Sequence, residues 1–298
     1  MIELCSVTKR FGNLAALDGI SLKIGNGNVL GLVGSNGSGK STMLRLISGV
    51  FEADEGEILI DGEDSFENTA AKGKVFFVSD YPYFYNDSTV KNTADLYKRL
   101  YTSWSDEKYS YLCSLFPIHQ NQRIINMSKG MQRQAEIILA MATRPKYLFF
   151  DEVFDGIDPQ KRNLCKKLFI EYMAETQCTI LMSSHNLQEV ADLCDHVALI
   201  NGKNLTLDVS VDDASSAYKK YRLIFDRDVT VEDFSAITYK DLTIESRMVS
   251  VIVDSQIESK VFEALNPVHM DSVNLSLEEV FLNEMEDRKY DISSIFSE

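Results

Sequence analysis

Apolar runs of four to six residues recur along the first two thirds of the chain, separated by longer segments of helical period. The runs at 2–7, 29–33, 57–60, 74–78, 147–150, 179–183 and 196–200 are too short for helices and predict strands. Helix patterns alternate with them, so residues 1–204 predict one α/β unit with a largely parallel sheet. Between about 80 and 130 the strand pattern stops. Segments 90–101 and 106–116 have helical period, and Pro117 closes the second, which predicts a helical insertion. Its rings, Tyr97, Tyr101, Trp104, Tyr109 and Phe116, are expected to pack inside rather than to form a ligand platform. After 204 the texture changes again. Segments 221–225 and 248–253 alternate like strands, and 255–265 and 277–285 read as amphipathic helices. This predicts a small α+β appendage over 205–298.

The predicted strand at 29–33 runs straight into Gly34-Ser35-Asn36-Gly37-Ser38-Gly39-Lys40-Ser41-Thr42. The spacing is G-x-x-x-x-G-K-[ST], a phosphate-binding loop. Glycines at these positions let successive backbone N–H groups turn inward toward phosphate oxygens. The helix that follows aims its positive end at the same phosphates. Lys40 supplies a point charge to the β- and γ-phosphates, and the Ser41 hydroxyl suits Mg²⁺. With a strand before it and a helix after it, the motif predicts a P-loop NTPase sheet domain that binds nucleotide phosphates with Mg²⁺.

Two further strand ends carry chemistry. The run at 147–150 ends in Asp151-Glu152. Asp151 is placed to hold Mg²⁺, and Glu152 to polarise a water for in-line attack on the γ-phosphate. The strand at 179–183 leads to Ser184-His185, with His185 at the sheet end where ligands bind and predicted to contact the γ-phosphate. Upstream, Ser128 is a good N-cap for the helix that opens Lys129-Gly130-Met131-Gln132, and Gly130 permits close backbone approach.

Charge and cysteine content narrow the setting. The formal net charge is −15, and it is uneven: residues 205–298 hold 20 Asp and Glu against 9 Lys and Arg. Such a segment argues against nucleic acid as a partner, since phosphate contacts need positive charge. Five scattered cysteines show no paired or metal-binding spacing and predict reduced thiols in a cytoplasmic protein. No run approaches the ~20 apolar residues of a membrane span, and no signal peptide is expected at the start.

These motifs, in this order, resemble the ATP-binding subunit of an ABC transporter over residues 1 to about 204. The resemblance implies a signature motif at Ser128-Lys129-Gly130-Met131-Gln132, acting in trans on nucleotide held by a second cassette. It implies a D-loop ending at Asp158, a switch histidine at His185, and adenine stacking by Phe11. It places Asp80 where the family usually has a Gln that touches the metal or the attacking water, so Asp80 is expected to reach Mg²⁺ as an oxygen ligand. Val153-Phe154 replace a common Pro-Thr, which leaves the D-loop turn less rigid. The Ser-Lys-Gly-Met form, and the segment 275–282, are similar to exporter-type cassettes. The resemblance therefore implies export through a separate transmembrane permease, with the chain peripheral on the inner face of the cell membrane. Import, and a soluble ABC ATPase outside transport, are the alternatives. Docking of the permease is expected near 80–90, where Tyr81, Tyr83, Phe84 and Tyr85 cluster.

Overall fold

The computed structural model describes residues 1–280 except Pro82 and Glu278. The chain divides into two compact units, Met1–Asp208 and Val209–Glu298. In order it runs β1 (Ile2–Phe11), β2 (Leu14–Ile24), β3 (Val29–Val33), α1 (Lys40–Ile47), β4 (Glu55–Ile60), β5 (Glu63–Asp64), α2 (Thr69–Lys72) and β6 (Val75–Val78). Three helices follow, α3 (Val90–Leu100), α4 (Asp106–Leu115) and α5 (Lys129–Ala142). Then come β7 (Tyr147–Asp151), α6 (Pro159–Thr176), β8 (Thr179–Ser183), α7 (Leu187–Leu193), β9 (His196–Asn201) and β10 (Asn204–Ser210).

Six strands form one sheet in the order β10-β9-β3-β8-β7-β6, and β9, β3, β8, β7 and β6 pair in parallel. Every residue of β3, β7 and β8 is buried. That is why these segments read as unbroken apolar runs: helices cover both faces of a parallel sheet. A second sheet, β2-β1-β4-β5, is antiparallel. The expectation that 2–7 and 57–60 belong with the parallel strands is corrected here. In β1 and β4 the buried residues Ile2, Leu4, Ile58 and Ile60 alternate with less buried neighbours, as in a sheet covered on one face. The faces of both sheets share one apolar core with α1, which contributes Met43, Leu44, Leu46 and Ile47. The P-loop helix is therefore an internal element, which fixes the loop ahead of it.

The helical insertion is capped by its own side chains. Thr89 forms a reciprocal capping box with Asn92 at α3, Ser105 caps α4, and Ser128 caps α5. Phe116 is buried, while Tyr97 and Tyr101 are half-buried against Phe76 at 5.3 and 5.5 Å between ring centres. Trp104 packs on Tyr109 at 5.5 Å.

In the second unit α8 (Val211–Ser216) precedes β11 (Tyr218–Ile224), β12 (Asp241–Glu245), β13 (Met248–Asp254), α9 (Lys260–Glu263) and β14 (His269–Asn274). The strands form an antiparallel sheet, β12-β13-β11-β14, over a core that includes Tyr221, Phe225, Phe234, Val251 and Phe262. The helix expected over 255–265 shrinks to α9. Asp254 accepts from the Gln256 N–H and holds the chain in a turn first, and Asn266 adopts a left-handed φ of 53° just beyond. Most of the helix expected at 277–285 lies outside the described residues.

The strand that ends in Asp151 is braced from one side by aromatic packing. Phe150 stacks on Phe169 of α6 at 4.8 Å, and Phe154 meets the same ring at 5.9 Å. Phe169 is 2% exposed. Phe169→Ala is expected to destabilise the fold by about 3–5 kcal/mol, measured as a lower urea midpoint at unchanged m-value.

Candidate active site

The carboxyl ends of β3, β6, β7 and β8 open on one side of the parallel sheet, where ligands bind in such folds. After β3 the loop turns at Gly34 (φ 155°), Gly37 (φ 79°) and Gly39 (φ 111°). Gly34 and Gly39 are also sites of close approach. A Cβ would stand 2.3 Å from the Ile200 carbonyl oxygen at Gly34 and 2.7 Å from that of Ala16 at Gly39. The loop crown, Ser35, Asn36 and Gly37, is exposed, while Ser38 and Lys40 are buried. The Lys40 ammonium donates to the carbonyls of Gly34 (2.8 Å) and Ser35 (3.2 Å). Burial pulls its pKa down, and the nearby Glu152 and Asp151 carboxylates oppose that. Ser41 and Thr42 follow in the first turn of α1, both half-buried.

Asp151 is fully buried at the end of β7. Its Oδ1 accepts from the Ser41 hydroxyl at 3.0 Å and from the Ser183 hydroxyl at 2.6 Å. Its Oδ2 has no hydrogen-bond partner, and neither has the buried Ser38 hydroxyl. Burial pushes the Asp151 pKa up; the two hydroxyls counter it, Asp80 adds to it, and Arg45 counters it again. A hydroxyl and a carboxylate oxygen without a partner, beside a phosphate loop, are the hard oxygen donors that Mg²⁺ takes. Among the described residues no three His, Cys, Asp or Glu side chains gather to hold a metal. Ser41 and the free oxygen of Asp151 fit Mg²⁺, which is held by one or two protein oxygens together with phosphate.

Glu152 leaves the strand with a left-handed φ of 49°. Its Oε2 lies 2.8 Å from Nδ1 of His185, whose ring is well exposed. Asn36, Asp80, Tyr81, Lys129, Gln132, Arg133, Glu152, Asp155 and His185 line one cleft of about 430 Å³. The structure thus brings Asn36 of the phosphate loop, Glu152 and His185 to a single opening, with Asp151 buried behind it.

The signature segment sits at the start of α5. Ser128 and Lys129 are exposed, Gly130, Met131 and Gln132 half-buried. Ser128 accepts from the Met131 N–H at 3.3 Å. Asp158 caps α6 by accepting from the Lys161 N–H at 3.0 Å, with Pro159 in the first turn. Phe11 is 46% exposed, with its ring edge-on to Phe51 at 5.5 Å.

Three contacts were not legible in the sequence. Asp80 is ion-paired with Arg45 of α1 at 2.9 Å. Arg133 of α5, only 5% exposed, donates to the Ser79 carbonyl (2.7 Å), the Asp80 carbonyl (2.9 Å) and Glu136 (2.9 Å). Burial pushes Glu136 up to about 7 against the opposing charge of Arg133. Ser183 joins Asp151 to Glu152. A basic residue on the buried face of α5 and a serine closing an apolar strand are the signals that could have marked two of these.

Strand, glycine loop, helix, and a buried acid two strands away in the same parallel sheet together define a nucleotide-binding P-loop cassette. The ABC transporter family matches residues 17–155. The ABC transporter ATP-binding protein YtrB of Bacillus subtilis is 30% identical over 287 residues, which is 95% of this chain and 97% of that one. The methionine import ATP-binding protein MetN of Rhizobium johnstonii is 29% identical over 67% of this chain and 58% of its own length. Among solved structures, an ATP-binding subunit of an ABC transporter superposes with a TM-score of 0.66 at 23% identity, over 72% of this chain and 91% of that one. The chain belongs to the ABC transporter ATP-binding protein family: it is the ATP-binding subunit of an ABC transporter, and an ATPase. Among the described residues no helix is long and apolar enough to cross a membrane.

Gly130 leaves no room for a side chain, since a Cβ there would stand 2.7 Å from the Gly156 carbonyl oxygen. Gly130→Ala is expected to push the Asp155–Gly156 turn aside and lower ATP turnover about 10- to 100-fold. Phosphate release measured beside fluorescent-nucleotide titration checks this, with affinity within about threefold of the unaltered protein.

Proposed function

We propose that this subunit powers export through a separate transmembrane permease, by Mg²⁺-dependent ATP hydrolysis between two cassettes that meet head to tail. The observation that carries the hydrolytic reading is the 3.0 Å bond between Ser41 of the phosphate loop and the buried Asp151. In this reading Ser41 and Asp151 hold Mg²⁺, which would neutralise charge on the β- and γ-phosphates. Gly34, Ser35, Asn36, Gly37, Ser38, Gly39 and Thr42 wrap the phosphates with backbone N–H groups, and Lys40 turns its ammonium from loop carbonyls to the phosphate oxygens. Glu152 takes the proton of the attacking water. His185 holds Glu152 through Nδ1 and leaves Nε2 for the γ-phosphate. Asp80 would leave Arg45 and help to hold the metal when ATP is bound. Phe11, propped by Phe51, stacks on adenine.

The second cassette supplies Ser128, Lys129, Gly130, Met131 and Gln132 to the γ-phosphate, and Asp158 to the shared D-loop contact. Exposure of Ser128 and Lys129 supports that role. ATP bound between the cassettes stabilises the closed pair, and hydrolysis releases it. Glu152→Gln is expected to cut turnover at least about 100-fold and to give an ATP-dependent dimer by light scattering. A monomer in ATP, or turnover at the unaltered rate, would overturn this.

The Ser-Lys-Gly-Met signature supports export. The likeness to MetN favours import as the second reading. The permease, in our reading, docks where Tyr81, Tyr83 and Tyr85 stand 82%, 83% and 66% exposed beside the half-buried Phe84. That contact would hold the chain on the inner face of the membrane. Tyr83→Ala is expected to abolish transport in vesicles reconstituted with the permease while ATP turnover of the free subunit stays within about twofold. Unchanged transport would refute the docking site, and uptake in place of efflux would favour import.

A further inference from the structure

Ser183 closes β8 opposite Asp151 in the parallel register. It is 2% exposed. Its Oγ lies 2.6 Å from Asp151 Oδ1 and 3.0 Å from the backbone nitrogen of Glu152. The second contact fixes the direction of the first. An amide N–H can only donate, so Ser183 accepts from Glu152 and its one proton goes to Asp151.

Both ends of this relay bear on chemistry. Asp151 Oδ1 takes two hydroxyl donors, Ser41 and Ser183, which leaves Oδ2 as the oxygen without a partner. Glu152 turns out of the strand at φ 49°, a conformation that side chains disfavour, so its N–H points away from the regular ladder. The Ser183 hydroxyl receives that N–H where the ladder ends. The Glu152 carboxylate then meets His185 at 2.8 Å. An alanine or valine at 183 would keep the strand and lose both contacts.

We propose that Ser183 is a positioning residue for ATP hydrolysis: one buried hydroxyl selects which oxygen of Asp151 is offered to the metal and fixes the turn that aims Glu152. The proposal rests on Asp151 and Glu152 acting as the metal-holding and water-activating pair. Steady-state turnover, ATP affinity and Mn²⁺ affinity would be measured on the full chain carrying Ser183→Ala or Ser183→Thr, with Glu152→Gln alongside. Ser183→Ala is expected to lower kcat and to weaken Mn²⁺ binding to the ATP-loaded protein, read by electron paramagnetic resonance, each about 10- to 100-fold. Its affinity for metal-free ATP should stay within about threefold, because the phosphate loop is untouched. Ser183→Thr, which restores the hydroxyl on a β-branched residue suited to a strand, should recover most of the loss.

Ser183→Ala with kcat and Mn²⁺ affinity within about twofold of the unaltered protein would overturn the proposal. A threonine variant with a normal thermal midpoint but no recovery would also overturn it. If threonine lowers the midpoint below that of alanine, the Mn²⁺ affinity of Ser183→Ala decides alone. Normal turnover in Glu152→Gln as well would show that the acidic pair itself is wrongly assigned. A normal Ser183→Ala beside an inactive Glu152→Gln would remove only the role of Ser183.

Discussion

A carboxylate with no exposure is costly to bury unless donors meet it, and Asp151 is the group on which this cassette is organised. Its two donors come from different elements, Ser41 at the head of α1 and Ser183 at the end of β8. Three elements are thus tied at one atom, Oδ1. Burial pushes the Asp151 pKa up against the two hydroxyls, and Oδ2 is left without a donor. Lys40, 6% exposed and resting on loop carbonyls, is the mirror case: a buried cation short of anionic partners. In the reading proposed above, a metal and a phosphate together complete this pocket.

The parts readable in the sequence are those whose chemistry is contiguous. The phosphate loop, the acids at 151 and 152 and His185 each stand next to the strand that delivers them, so an apolar run and a short motif sufficed. Fully buried strands such as Val29–Val33 and Thr179–Ser183 emerged with their observed limits, because covering both faces leaves no polar alternation to blur the pattern. β2 was missed because Asp18 and Gly19 interrupt it and Gly19 adopts φ 63°. Its pairing with β1 shifts register three times, so no single alternation runs its length.

What the sequence hid lies between distant positions. Arg45 meets Asp80 across 35 residues, Ser183 meets Asp151 across 32, and Arg133 meets Ser79 across 54. None has a local pattern, since each side chain is chosen by a neighbour that only the folded sheet supplies. The Arg45–Asp80 pair also sets a cation beside the acid whose charge acts on Asp151. The added negative charge beside Asp151 is answered by a guanidinium from the helix that starts at Lys40.

Arg133 spans a joint. Its planar fork grips two successive carbonyls of the turn after β6, while its stem belongs to the helix that opens at the signature. A guanidinium bonded at two points transmits rotation as well as displacement, as a hinge pin through a single point would not. Arg133 thereby holds the start of the tyrosine-bearing segment and the first turns of α5 as one buried piece.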